Sequence, residues 1–418
     1  MALVLLGVLA GSSDGRSKRE APGAAGRVAP AAVIARRVER LRGLRFDRPP
    51  RTERVTAAQA RRTALRDFDR TTPRRRSAAD EELLKLLGLL PASADLRSIV
   101  GTLYREQVAG FYDPRSKRLA TISGPSSAGP ASDEMTLAHE LTHALEDQRF
   151  GLLREAEGAT AGLDDRALAR LTLVEGTATA LMFEYADRHL NLGETLAESL
   201  AGSFGQGGTD ALPPYVLASL LFPYEQGKPF VEDLYRRVGG WGLVDYALRR
   251  RPPASSEQVL HLRKYLADER PMPVHLPAAR ALGAGWHAAE HGTVGEFDTR
   301  QILRAGGAAG SAVTAAEGWG GGRYALWRTG PLPDRGCAAP CRPRDALVLR
   351  WRWDTERDAG EVVTPLGDYV AAALHGRRLG GGGFALRGGA AALTRRGDEV
   401  TLAFAPRLAQ ARALAAAR

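Results

Sequence analysis

Hydrophobic positions along this chain change their spacing more than once, and the changes divide it into segments. Ala31 to Leu41 carries helical spacing, and Leu44 to Val55 reads as a strand broken by Pro49-Pro50. Thr56 is placed to cap a helix to about Phe68, Ala78 to Leu90 gives another stopped by Pro91, and Asp95 to Val108 continues in helical phase. Residues 110–114 and 118–122 read as two short strands joined by a turn at Pro114-Arg115-Ser116. A long helix follows from Ser132 or Asp133 to Phe150, and a second from Asp164 or Asp165 through Leu190.

After a glycine-rich loop, Gly202 to Pro214, helical spacing resumes to about Arg250 and again over Ser255 to Leu266. Beyond Gly292 the character shifts. Tyr324 to Arg328, Ala346 to Trp353 and Glu399 to Phe404 read as strands. Thr355 to Leu374 is expected to be helical in part, broken at Pro365, and Pro406 to Ala417 forms a last helix. The expected fold class is α+β. A mostly helical domain with a small sheet spans 31–299, and a smaller α+β domain spans 300–418, with a glycine loop at Gly380 to Gly383.

Length and composition agree with that division. A chain of 418 residues with 44% hydrophobic content can bury more than one core, and no apolar run reaches the ~20 residues of a membrane span. The net charge of +10 is uneven: residues 1–76 hold 19 Lys/Arg against 7 Asp/Glu, and the remainder holds 39 against 41. With 6% aromatic residues and no zinc-finger or RNP pattern, a nucleic-acid partner is not expected.

The first thirty residues divide into a signal-like segment and a linker. Ala2 to Ala10 (ALVLLGVLA) is an apolar run at the short end of a signal-peptide core, without a charged region before it. Leu9-Ala10-Gly11-Ser12 has Ser where a lipidated Cys would stand, so no lipid anchor is expected. Export is favoured over an ordinary frayed terminus, which places the protein outside the cytoplasm, with peripheral envelope association as one form. Cys337 and Cys341 fit a small loop disulfide in an oxidising compartment and two free thiols in a reducing one.

The chemistry concentrates in His139-Glu140-Leu141-Thr142-His143, an HExxH motif. Histidines at i and i+4 project from one helix face, close enough to share a Zn²⁺ ion. Glu140 stands about 100° around the axis, where it can accept a proton from water activated by that ion. Leu137, Leu141, Ala144 and Leu145 provide the apolar face that would anchor the helix. A catalytic zinc needs a third protein ligand, and the next helix offers Glu175. Glu175 shares a stripe with Leu171, Ala178 and Met182, so it should face inward, where an unpaired carboxylate is costly and calls for a cation. An arginine would also serve as that partner. Glu184 falls on the outer side with Asp187 and Arg188. Glu155, Glu157, Asp164 and Asp165 are weaker ligand candidates in the connection. A second match, His287-Ala288-Ala289-Glu290-His291, has inverted HxxEH spacing but lacks room for a buried helix, and is read as surface sequence.

At these residues the chain resembles the zincin superfamily, and within it the gluzincins, whose third ligand is a Glu on a following helix. It is similar, more closely, to a family of bacterial exported zincin-like proteins. The carrying segments are Val108 to Pro114, His139 to Gln148, Val174 to Ala178, Gly239-Gly240-Trp241 and Pro252 to Tyr265. Leu262 departs from that pattern, which has Pro there. The resemblance covers roughly residues 33–300. It implies a zinc peptidase acting on a protein or peptide substrate, with Arg118 to Ile122 as an edge strand that binds extended peptide. It also calls for an electrophile from a later segment to stabilise the oxyanion; His261 and Tyr265, four apart on one helical face, are the candidates, with packing below the cleft as the other reading.

Overall fold

A computed structural model describes residues 3–6, 28–106, 108–123, 129–151, 163–190, 212–307, 310–330 and 340–417. Its first sheet contains β1 (Leu3–Leu6), β2 (Arg51–Thr56), β3 (Val108–Asp113) and β4 (Arg118–Ser123), in the spatial order β1-β3-β4-β2. Strand β4 pairs antiparallel with β3 and parallel with β2. Both of its edges are therefore taken. The expectation that residues 118–122 form a substrate-binding edge strand is corrected: no unpaired backbone row remains there for an added peptide.

Helices surround this sheet: α1 (Ala31–Arg42), α2 (Ala57–Thr71), α3 (Arg74–Leu86), α4 (Leu96–Glu106), α5 (Pro130–Phe150) and α6 (Asp165–His189). Thr56 caps α2 as expected, its hydroxyl accepting from the Gln59 N–H in a capping box. Helix α5 starts at Pro130, three or four residues earlier than a cap at Ser132 or Asp133 implies. Gly129 precedes it and Pro130 occupies the first turn, where a missing N–H costs nothing. Asp164 caps α6 by accepting from Ala167 N–H.

Helix α3 is buried from Ala78 to Leu86, charged residues included. Lys85 pairs with Glu81 at 2.7 Å, and Glu82 accepts from the Cys341 backbone at 2.6 Å. Lys85 and Glu81 are thus partnered, while burial raises the pKa of Asp80 to about 7 and of Glu82 to about 8, which favours their neutral forms in the interior.

The helices continue as α7 (Pro214–Glu225), α8 (Gly227–Val238), α9 (Gly242–Arg249), α10 (Ser256–Leu260) and α11 (Leu262–Leu266). Where one helix over 255–266 was expected, the backbone leaves the helical region at His261 (φ −126°, ψ 86°), which ends α10 and precedes α11. His261 and Tyr265 therefore do not share one helical face. The turn forms with Leu262 at the first position of α11.

The second sheet has seven strands. They are β5 (Trp286–Thr293), β6 (Trp319–Thr329), β7 (Asp345–Trp353), β8 (Arg377–Arg378), β9 (Gly383–Leu386), β10 (Gly389–Arg396) and β11 (Glu399–Ala405), in the order β5-β6-β7-β11-β10-β9-β8 with all neighbours antiparallel. It begins upstream of residue 300, because β5 is its edge. Helices α12 (Glu296–Ala305), α13 (Ala312–Ala316), α14 (Glu356–Ala372) and α15 (Leu408–Ala416) complete the chain. Helix α14 runs through Pro365 without ending. The carbonyl that loses its donor belongs to Glu361, an exposed residue whose backbone water can reach. One hydrophobic cluster extends from Ile34 through helices α5 and α6 to Phe404, so the two sheets share a core. Among the described residues no helix is long and apolar enough to cross a membrane.

Candidate metal centre

Helices α5 and α6 pack side by side, and their facing sides bring His139, His143 and Glu175 together. Leu137, Leu141, Ala144 and Leu145 are buried on the other side of α5, as the apolar phase implied. On α6, Leu171, Ala178 and Met182 are buried with Glu175. Glu184 faces outward and pairs with Arg188 at 2.6 Å. Among the described residues no arginine bridges Glu175; the groups on its carboxylate are the two histidines.

The three ligand atoms form a compact triangle. His139 Nε2 lies 3.2 Å from Glu175 Oε2, His143 Nε2 lies 3.3 Å from the same oxygen, and the two imidazole nitrogens are 3.0 Å apart. The rings cross edge-on at 87°. A tetrahedral zinc with bonds of roughly 2.0–2.1 Å separates its ligand atoms by about 3.3–3.4 Å. The observed spacings come within a few tenths of an ångström of that, and two imidazoles with one carboxylate make a donor set that suits zinc.

Electrostatics point the same way. Burial lowers the His139 pKa to about 4, which keeps that imidazole neutral. Burial alone would raise Glu175, but the His143 charge and hydrogen bonds from both histidines outweigh it and hold the carboxylate at about 2. Burial opposes protonation of His143, yet the Glu175 carboxylate raises its pKa. An ionised carboxylate and a neutral imidazole are the forms that ligate a metal. The positive charge they attract onto His143 is what a cation in the same place would supply.

Glu140 stands beside this triangle, 0% exposed, and no side chain among the described residues hydrogen-bonds its carboxylate. Burial pushes its pKa up to about 8. Strand β3 runs past it: a β-carbon on Gly110 would sit 3.5 Å from Glu140 Cγ and 3.0 Å from Thr136 Cγ2. The glycine lets the strand approach the helix at this point.

His261 and Tyr265 are not among the residues brought together here. His261 Nε2 bonds Glu296 at 3.0 Å, and Tyr265 donates its hydroxyl to the Arg251 carbonyl at 2.9 Å while its ring packs on Phe230. Asp165 lies at the other end of α6, where it accepts from Ser256 N–H, and Asp164 is the cap. Glu155 and Glu157 lie outside the described residues. The inverted motif 287–291 falls on strand β5. There, positions four apart stand about 13 Å from each other, too far to share an ion.

Sequence reasoning missed two features. Tyr224 of α7 places its ring 6.2 Å from that of His139, a position no local pattern announces. Arg42 of α1 is buried against α5, where its Nε reaches Glu146 Oε1 at 2.7 Å and its Nη2 reaches Asp245 Oδ1 at 2.6 Å. Its guanidinium also covers the Trp241 ring at 4.4 Å. Glu146 follows His143 by three residues on the inner stripe. The argument that assigned Glu175 a cation, applied to Glu146, would have asked for Arg42.

Cys341 is disulfide-bonded; Cys337 lies outside the described residues. Residues 281–415 match the family model described as a domain of unknown function, DUF8575. That match covers the second sheet and its helices and leaves His139, His143 and Glu175 outside it. No curated protein and no solved structure matches the chain.

Proposed function

We propose that this protein is a zinc-dependent peptidase of the gluzincin kind, in which His139, His143 and Glu175 hold one Zn²⁺ and Glu140 is the general base. The observation that carries this reading is the triangle of His139 Nε2, His143 Nε2 and Glu175 Oε2, with the buried Glu140 carboxylate beside it. When bound, zinc supplies Lewis acidity toward water and a peptide carbonyl.

The chain's own groups do the rest. Glu140 takes a proton from the attacking water and passes it to the departing amine nitrogen. Its burial keeps bulk water from competing for that proton. The substrate is a protein or peptide. The Cys341 disulfide favours an oxidising, extracytoplasmic compartment, in line with the apolar run at the N-terminus.

The complete burial of Glu140 favours a second reading, a zincin-fold protein that holds zinc but binds a partner without cleaving it. Incubation of the zinc-loaded protein with a denatured protein substrate separates the two. Cleavage by the wild type, lost by at least roughly 10²-fold in Glu140→Gln with zinc retained, supports the peptidase. Retained zinc with no cleavage by either protein supports the binding reading.

A further inference from the structure

Away from the metal centre, a cleft of about 740 Å³ opens between the end of α8 and helix α11. It is lined by Arg237, His261, Leu262, Arg263 and Leu266. The charges around it are sorted. Arg236, next to Arg237, pairs with Asp233 at 2.6 Å, and Arg300 pairs with Glu296. Lys264, next to Arg263, gathers Glu257, Glu269 and Asp354 at 2.6, 2.8 and 2.6 Å. Among the described residues, no carboxylate lies within 4.0 Å of the guanidinium of Arg237 or Arg263. Two arginines without acidic partners thus face one concavity, while their neighbours along the chain take the local acids.

The wall that carries them is fixed. Lys264 is tied down three ways, and buried Tyr265 is bonded to the Arg251 carbonyl. His261 sits at the break between α10 and α11, its Nε2 committed to Glu296 and its side chain 30% exposed. The Glu296 bond raises its pKa and favours the doubly protonated ring, whose Nδ1–H remains for a ligand.

We propose that this cleft binds a phosphate group carried on an organic ligand, held by Arg237, Arg263 and His261, with Leu262 and Leu266 against the carbon part. Two guanidiniums and an imidazole N–H on three separate side chains suit a tetrahedral anion with three free oxygens better than a planar carboxylate with two. The cleft is larger than a bare phosphate ion and has apolar wall to spare, so it suits a phosphomonoester. The inference is independent of the metal-centre reading.

The test is calorimetric titration of the full chain with inorganic phosphate, O-phosphoserine and acetate. Saturable binding of phosphate and tighter binding of phosphoserine are expected, with acetate weaker than both. Arg237→Ser and Arg263→Ser should each weaken phosphate binding by about tenfold or more, the loss of a charge-assisted hydrogen bond. Arg236→Ser, on the same helix but paired with Asp233, should leave it unchanged. Circular dichroism confirms that each variant folds. Equal loss in Arg236→Ser, or acetate binding as tightly as phosphate, overturns the proposal in favour of general surface charge. Sedimentation with vesicles of phosphatidylcholine and phosphatidic acid separates the sources of the group. Binding to vesicles without binding to inorganic phosphate also overturns the cleft.

Discussion

Gly176 and Gly227 meet backbone to backbone, where α8 begins against the middle of α6. A β-carbon on Gly176 would lie 2.4 Å from the Gly227 carbonyl carbon, and one on Gly227 would lie 2.3 Å from the Thr172 carbonyl oxygen. Neither neighbour is a side-chain tip that can swing aside. Glu175 immediately precedes Gly176, so the spacing of these helices fixes where its carboxylate stands.

Gly227→Ala should push α8 off α6 and destabilise the protein by roughly 1–3 kcal/mol, the usual cost of overpacking. Under the proposed function it should also weaken zinc retention by displacing Glu175. Thermal melting and metal analysis on the same sample check both. Gly240→Ala, at a position with nothing within 4 Å, is the matched control. Equal behaviour of the two variants would show that the contact has no structural weight.

A second prediction concerns Arg42. Removing it leaves Glu146 buried without its cation, and breaking one side of a buried pair costs about 3–5 kcal/mol. Arg42→Met should therefore destabilise strongly. The double variant Arg42→Met/Glu146→Leu should recover much of the loss, because no buried charge is left unpaired. Chemical denaturation of the four proteins in the cycle measures the coupling. A double variant as unstable as the sum of the singles would mean the pair is not the source.

Asp80 of α3 gives a pH dependence whose sign can be worked out. Burial, with the Glu290 charge adding to it, raises its pKa from 3.8 to about 7. Between those values the folded protein holds a proton there that the unfolded chain has released. The folded state binds more protons, so this group's stabilising contribution is complete below about pH 3.8, declines as pH rises and is gone above about 7. Asp80→Asn should flatten that part of the profile. Melting temperatures of both proteins from pH 4 to 8 decide it; parallel curves would exclude Asp80 as the origin.

Much of the candidate site was legible because helical periodicity is local information. The i, i+4 histidines, the apolar face of α5 and the inward phase of Glu175 follow from one axis and a repeat of 3.6 residues. What the sequence hid depends on contacts between distant segments. Strand β4 looked like an edge because its partner β2 comes from residues 51–56, more than sixty positions away. His261 and Tyr265 looked co-facial because nothing in the local pattern showed the backbone break at His261. The local pattern over 286–293 shows no strand, yet β5 pairs with β6 along seven positions and starts the second sheet. Helical spacing over Ala78 to Leu90 does not show that Glu82 is buried as deeply as Leu83 beside it.

The most direct measurement of the central claim is zinc stoichiometry after dialysis against a mild chelator, for the wild type, Glu175→Ala and Glu184→Ala. The wild type should hold one zinc per chain. Glu175→Ala, left with His139 and His143, should hold none. Glu184→Ala, which loses only a surface contact to Arg188, should hold one and change in stability by no more than about 0.5 kcal/mol. Glu175→Ala retaining zinc as firmly as the wild type would contradict the account, since the third ligand would then lie elsewhere and the triangle would be a hydrogen-bonded trio.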